Sequence, residues 1–230
     1  MKHPELWSRI EATISRHDLL QHPFYQAWTA GTLRAEDLRR YAREYYHQVA
    51  AFPTYLSTLH SRLGDGPLRR TVLGNLCEEE IDVTPHSELW LDFAEGMGAQ
   101  RDEVRESAPS ASTQALVDTF RGIAARRSPL AALAAFYAYE SQVARIAGLK
   151  AEGLREKYGA DAKTCSYFTL HSTWDVHHSK VWANQIDAGI EGNQSFDEQN
   201  ADEIVAAVED AATAMWKSLD GIHSNCACAN

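Results

Sequence analysis

The chain has 230 residues, of which 44% are hydrophobic and 23% charged, and its formal net charge is −10 at pH 7. This composition is sufficient for one globular domain with a sizeable core. The acidic balance argues against nucleic acid or an anionic membrane surface as a partner, because both select clustered Lys and Arg. Small molecules or other proteins are therefore the expected partners.

The N-terminal segment MKHPELWSRIEATISRHDLL is charged and amphipathic, and it lacks the apolar core of a signal peptide. No stretch approaches the roughly 20 apolar residues of a membrane span. We therefore expect a cytoplasmic protein whose four cysteines are free thiols. Two of them, Cys226 and Cys228, lie in the polar tail HSNCACAN and are assigned no chemistry. The predicted organisation is one domain over residues 1–222 and a disordered tail over residues 223–230.

Nearly every segment has the period of an amphipathic helix, and alternation typical of strands is almost absent, which predicts an all-α fold. Pro67 and Pro129 are well placed in the first turn of a helix, and Gly159 suits a helix end. Pro53 should kink the helix that contains it. In chain order, the predicted helices cover residues 4–19, 22–30, 35–62, 67–82, 85 onwards, 112–125, 129–159, 161–188 and 198–220.

Two interruptions divide this helical pattern. Thr84 and Pro85 suit the N-cap and first position of a new helix, which breaks the chain between Glu79 and His86. Residues 96–112, GMGAQRDEVRESAPSAS, are predicted to be a connecting loop. Because helices of similar character resume after both breaks, we expect a single compact bundle of about seven helices.

The segment HSTWDVHHSKVW, residues 171–182, contains three histidines and an aspartate. At about 100° per residue in a helix, His171, Asp175 and His178 lie within roughly 60° of one another, whereas His177 points away. The composition predicts only about 0.06 occurrences of His-x3-acid-x2-His by chance (10 × 32/230 × 10/230). The spacing therefore favours a metal site over a polar helix face that is rich in histidine by accident.

A bundle can complete such a site with carboxylates from facing helices. Glu140 is the only acidic residue in the apolar run AALAAFYAYESQVARIAGL, and an ionised carboxylate is buried only with a cation or another partner. A metal ion would provide that partner. The alternatives are an ion pair with Arg145 or a position at the edge of the helix.

Glu79 and His86 form an acid-x6-His pair, but about 1.4 such pairs are expected by chance (32 × 10/230). Glu78 and Glu80 have the same chemistry, and a solvated EEE face is an equally simple interpretation. Only a six-ligand set singles out Glu79. Three carboxylates and three imidazoles without a thiolate suit iron or manganese better than zinc. The six candidate ligands are Glu79, His86, Glu140, His171, Asp175 and His178.

The motifs EEEIDVTPH, YES and HSTWDVHH together resemble the E-x6-H, E and H-x3-D-x2-H ligand pattern of the haem-oxygenase-like di-metal oxidases and oxygenases. HPFYQAWTAGTL, AFPTYLSTLHSR and HSELWLDFAEGMG resemble one branch of them, the CADD-like self-sacrificing p-aminobenzoate synthases. The resemblance spans essentially the whole chain. It implies a seven-helix fold, two metal ions as Fe/Fe or Mn/Fe, O2 and an external reductant, and a homodimer. It also implies that the helix with the first Glu and His loosens without metal.

The resemblance also assigns roles to three further residues. Tyr25 matches the tyrosine that is consumed as substrate, Tyr41 a second tyrosine that assists radical transfer, and Lys150 the donor of the amino group. The implied product is p-aminobenzoate for folate, made once per chain without an external aromatic substrate. By themselves, Tyr25 would be a packing aromatic and Lys150 would extend to solvent, although its apolar neighbours allow a buried amine.

Two other functions remain open from the residues alone. The same di-metal site could serve an oxygenase or oxidative decarboxylase that acts on an external amine or fatty acid. Such an enzyme needs a substrate pocket and leaves Tyr25 intact. A helical protein-interaction module is the second alternative, suggested by the death-domain association for which the branch is named. That function does not require six inward-facing ligands.

Overall fold

A computed structural model describes residues 2–81 and 83–226, and within them it is all-α, as the sequence predicts. This part of the chain contains ten α-helices rather than the expected seven, together with a short 3-10 turn at Leu19–Gln21. The count is higher because each of the nine predicted helical segments forms a separate helix, and residues 101–106 add a tenth. The helices are α1 Pro4–Arg16, α2 Pro23–Ala30, α3 Ala35–Arg62, α4 Pro67–Glu80, α5 His86–Gly96, α6 Arg101–Glu106, α7 Ala111–Arg126, α8 Pro129–Tyr158, α9 Ser166–Glu191 and α10 Glu198–His223.

Proline and glycine mark the ends of the helix at the centre of the fold. α8 begins at Pro129, where the side chain of Ser128 accepts a hydrogen bond from the Ala131 amide, and it ends at Gly159 with φ +65°. Proline lacks an amide that the first turn would leave unpaired, and glycine adopts the left-handed conformation at little cost. The predicted bounds of this helix are therefore confirmed.

Two predictions about the interruptions are wrong. Pro85, rather than Thr84, is the N-cap of α5, because its extended backbone places its carbonyl to accept the amides of Glu88 and Leu89. Residues 101–106 form the helix α6 within the predicted loop, and the helix buries Val104. In α3, the chain stays helical through Pro53.

α8 is 30 residues long and packs most extensively against α9 and α10. Its buried face is rich in alanine, so neighbouring helix backbones approach it closely. α3 packs against α4, α5 and α7 on the other side of the bundle. Side chains from α4, α5, α8 and α9 consequently project into one interior region.

α10 ends at His223, the first residue of the predicted tail. Cys226 is buried, and its thiol donates to the carbonyl oxygen of Ile222. Cys228 and the rest of residues 227–230 lie outside the described residues. Within the described part of the chain, the helices are too short or too polar for any of them to cross a membrane.

The N-terminus of α2 is held by a buried histidine. Nδ1 of His22 accepts a hydrogen bond from the Phe24 amide at 3.1 Å, and Nε2 lies 3.1 Å from Oδ1 of Asp220. Because Nδ1 acts as an acceptor, the proton must be on Nε2, which donates to Asp220. His22 thereby connects the first turn of α2, which contains Tyr25, to α10.

We expect His22→Ala to lower the free energy of unfolding by about 1–2 kcal/mol, because the helix loses its cap. His22→Asn should lose less, since asparagine also caps helices, and exposed His177→Ala is the control.

Burial lowers the pKa of His22 below 6.5. Below pH 6.5 the unfolded chain therefore binds a proton that the folded chain does not, and stability falls as the pH drops. Chemical denaturation at pH 5.5 and 7.5 measures both effects; equal pH slopes in the wild type and His22→Asn would contradict this account.

Candidate metal centre

The structure places all six predicted ligands in the interior, on four different helices. None is more than 6% exposed. α9 presents three of them on one face, while exposed His177 points away from that face as predicted. By helix, the candidate ligands are Glu79 on α4, His86 on α5, Glu140 on α8, and His171, Asp175 and His178 on α9.

Three of these side chains form one tight group. Glu79, His86 and His171 each direct a ligand atom to positions that lie within 4.8 Å of one another. Nδ1 of His86 is 2.8 Å from Oε2 of Glu79 but makes no well-formed hydrogen bond. Burial alone would raise the pKa of Glu79, but contact with His86 and the nearby imidazoles outweigh burial and lower it. These side chains converge on one point, as ligands of a common ion do.

Hydrogen bonding leaves one nitrogen of His171 available. Its Nδ1 donates to the carbonyl oxygen of Tyr167 at 2.7 Å, so Nε2 remains free. The two rings also stack, with centroids 3.9 Å apart. Burial lowers the pKa of His171, which favours the neutral imidazole that a metal requires. A backbone acceptor behind a ligating histidine is a common feature of metal sites.

The other three side chains lie beside this group. Nδ1 of His178 is 3.6 Å from Oδ1 of Asp175, and Asp175 and Glu140 line the same small cavity. Burial raises the pKa of Glu140 well above its usual range. Burial would lower the pKa of His178, but the contact with Asp175 and the charge of Glu140 outweigh burial and raise it to about 9.

Unpartnered buried atoms test whether this region fits a metal. Oε1 of Glu140, Oδ2 of Asp175, and Nδ1 of both His86 and His178 are buried without a hydrogen-bond partner. Leaving such atoms unpaired is costly, and a metal ion is the usual compensation. The donors are imidazoles and carboxylates, which suit iron or manganese. The residues present therefore fit a metal centre.

The structure argues against the simpler interpretations of the acidic residues. Arg145 pairs with Asp18, so it is not the partner of Glu140. The second oxygen of Glu140 instead accepts a hydrogen bond from the indole of Trp182. Because Trp182 follows His178 by one helical turn, the same periodicity places it on the site's face.

The three remaining predicted residues meet in a second buried cluster. Nζ of Lys150 donates to the hydroxyl of Tyr25 at 3.0 Å and to that of Tyr41 at 2.5 Å, and the two hydroxyls are 3.3 Å apart. None of the three is more than 6% exposed. Lys150 therefore points inward, and the solvent-facing alternative is wrong for this residue.

Aromatic rings surround the amine. Nζ of Lys150 lies 4.4 Å from the ring centroid of Tyr25, with the rings of Trp28 and Phe168 also within 5.5 Å. Burial without a carboxylate partner lowers the pKa of Lys150 well below its usual range, and burial raises the pKa of Tyr25 well above its own. This environment favours a neutral amine next to a neutral phenol.

Tyr167 connects the two clusters, and the sequence contains no signal for this role. Its ring lines the small cavity beside Lys150 and Tyr25, and also the cavity beside Glu79 and His171. Each cavity has a volume of about 10 Å³, the space of roughly one water molecule. Tyr167 therefore borders both the candidate ligands and the tyrosine and lysine cluster.

A family described as iron-containing redox enzymes matches residues 39–216. The chain belongs to this family. A 4-aminobenzoate synthase of Nitrosomonas europaea is 41% identical over 233 residues, covering 96% of this chain and 92% of that protein. A 4-aminobenzoate synthase of Chlamydia trachomatis is 34% identical, covering 92% and 89%. A crystal structure from Shewanella denitrificans with a haem-oxygenase-like fold superimposes with a TM-score of 0.77 at 17% identity, covering 97% and 93%.

Membership of this iron-containing redox family identifies the protein as a redox enzyme and agrees with the donor chemistry of the site. The matched residues include all six candidate ligands, Tyr41 and Lys150, whereas Tyr25 precedes them. The solved structure supports the haem-oxygenase-like fold alone.

Proposed function

We propose that this protein makes 4-aminobenzoate from the side chain of its own Tyr25, with Lys150 as the nitrogen donor. The observation that carries the proposal is the contact of Lys150 with Tyr25, one aromatic side chain away from the candidate ligands. Relatives named 4-aminobenzoate synthase, up to 41% identical over most of the chain, support the same product. The protein would act once per chain.

Two metal ions, Fe/Fe or Mn/Fe, would be held by the two groups of ligands. Glu79, His86 and His171 form one group, and the carboxylates of Glu140 and Asp175 lie next to it. When bound, such a centre supplies the ability to activate O2 with electrons from an external reductant, which no side chain does unaided. Tyr167 keeps this centre apart from the tyrosine that is to be oxidised.

Lys150 is suited to donate nitrogen because its amine is buried, and burial favours the neutral form. A neutral amine has a free electron pair, whereas an ammonium has none. Nζ lies closer to the oxygen of Tyr25, at 3.0 Å, than to the ring centroid, at 4.4 Å. The amine is therefore placed beside the end of the ring where nitrogen must replace oxygen. Formation of the ring C–N bond would release the phenol oxygen as water. Two-electron oxidation at Cε of Lys150, with O2 as the oxidant, and hydrolysis of the Cε–Nζ bond would then leave nitrogen on the ring and an aldehyde on the lysine.

Tyr25 contains the carbon skeleton of the product. Cleavage between Cα and Cβ releases the ring with Cβ, which is oxidised to the carboxyl carbon, and leaves glycine in the chain. Tyr41 hydrogen-bonds both Tyr25 and Lys150, so it orients the phenol and is placed to take part in radical transfer. O2 and the reductant provide the oxidising chemistry, and no external aromatic molecule is needed.

The size of the cavities disfavours an external substrate. Each cavity beside the site holds about 10 Å³, against roughly 300–1,000 Å³ for typical small-molecule pockets. An external amine or fatty acid would require the helices to move apart.

A purely protein-binding role would not explain why six potential metal ligands are buried together. The cytoplasmic location and the homodimer stay predictions.

Peptide mass spectrometry tests the proposal. Protein loaded with iron, or with iron and manganese, is reduced and exposed to O2 without any aromatic additive. We expect 4-aminobenzoate in solution, and peptides in which residue 25 has lost its hydroxybenzyl group, in amounts equal to the product. Tyr46→Phe is the matched control on α3, and Tyr25→Phe should yield no product. Product formed while Tyr25 remains intact would contradict self-sacrifice.

A further inference from the structure

Glu78, the residue before the candidate ligand Glu79, contacts a different candidate ligand, His178. Its Oε2 lies 2.7 Å from Nε2 of His178, across from α4 to α9. The side chain of Glu78 is 39% exposed, whereas Glu79 is buried. Glu80, the third acidic residue of the run, is exposed. The three glutamates therefore occupy three different environments.

The contact determines which nitrogen of His178 is available. Imidazole binds a metal through one nitrogen, and the other nitrogen then carries a proton that needs an acceptor. In His178, Nε2 is engaged by Glu78, whereas Nδ1 is buried, unpartnered and on the side of Asp175. A ligand set that includes His178 therefore uses Nδ1.

The same contact connects the C-terminal end of α4 to α9. This helix packs against α3, and just beyond its last turn Ile81 and Val83 are 76% and 98% exposed. Few apolar contacts therefore hold the segment that presents Glu79. The hydrogen bond that Nε2 of His178 donates to Glu78 links this segment directly to α9.

We propose that Glu78 is a positioning residue that accepts the Nε2 proton of His178, orients Nδ1 toward the metal, and fastens the end of α4 to α9. This inference rests on the metal centre of the proposed function, and it assigns Glu78 no bond to the metal. It gives separate roles to two adjacent glutamates: Glu79 as a ligand and Glu78 as the support of a ligand.

Titration of metal-free protein with Mn²⁺, followed by the electron paramagnetic resonance signal of the free ion, tests the assignment. Glu78→Ala should bind Mn²⁺ about 10–100-fold more weakly than the wild type, the range typical of such supporting carboxylates. Glu78→Gln retains an oxygen that can accept from Nε2, so it should bind more tightly than Glu78→Ala. Glu80→Ala, one residue further along, should match the wild type.

The variants separate the possible failures. Binding by Glu78→Ala within twofold of the wild type would overturn the proposal, and so would equal weakening in the Ala and Gln variants, because orientation would then be irrelevant. Glu78→Met replaces Glu78→Ala if circular dichroism finds the latter unfolded, since it keeps the chain length without an acceptor. A wild type that binds no Mn²⁺, Fe²⁺ or Co²⁺ would instead refute the metal centre itself.

Discussion

His171→Ala, Asp175→Ala and His178→Ala are each expected to lower the affinity for iron by roughly 10²-fold or more, because each removes a buried donor. Elemental analysis after desalting should then find little metal in the variants. His177→Ala is the matched control, since this residue lies on the same helix but is exposed. Unchanged metal content in all three ligand variants would mean that any iron binds elsewhere.

Metal binding should also stabilise the fold. At a free metal concentration about 100 times the dissociation constant, binding contributes about 2.7 kcal/mol. For a chain of this size, that is a rise of about 5–11 °C in the unfolding midpoint. The rise should be present in the wild type and in His177→Ala, and absent in the ligand variants.

Lys150→Met is expected to abolish 4-aminobenzoate formation while the protein becomes more stable. The substitution replaces a buried amine, surrounded by aromatic rings, with an apolar side chain of similar length. We expect the free energy of unfolding at pH 7 to rise by about 1–3 kcal/mol. Loss of product in a more stable protein cannot be attributed to misfolding. Denaturant titration and product assay of the same sample measure both.

The pH dependence of stability provides an independent test of this amine. Burial lowers the pKa of Lys150 in the folded chain well below 10.5, its value in the unfolded chain. At a pH between these two pKa values, the folded chain therefore binds fewer protons than the unfolded chain. The free energy of unfolding therefore rises with pH in that window, by up to about 1.4 kcal/mol per unit. Between pH 7 and 9 the slope should be smaller in Lys150→Met than in the wild type.

Controls for Lys150 distinguish nitrogen donation from charge. Lys150→Arg should keep the metal and lose the product, because guanidinium is a poor nitrogen donor. Lys217→Arg, at an exposed position of α10, should behave as the wild type in every assay. Wild-type yield from Lys150→Arg would remove Lys150 from the mechanism.

The helical class and the relative placement of the ligands on α9 follow from local sequence patterns alone. Both depend on regular local geometry: at 3.6 residues per turn, spacing alone places His171, Asp175 and His178 together and turns His177 away. The isolation of Glu140 in an apolar run likewise predicted its burial. The resemblance to a known family contributed the roles of Tyr25 and Lys150, which spacing does not contain.

Which acidic residue of the EEE run faces inward depends instead on packing between helices. The break after α4 uncouples Glu79 from His86, so helix arithmetic cannot relate them, and α4 must pack before its three glutamates differ. The inward direction of Lys150 and the position of Tyr167 between the two cavities have the same origin. They result from contacts between helices distant in the chain, where packing, rather than local periodicity, sets each side chain's surroundings.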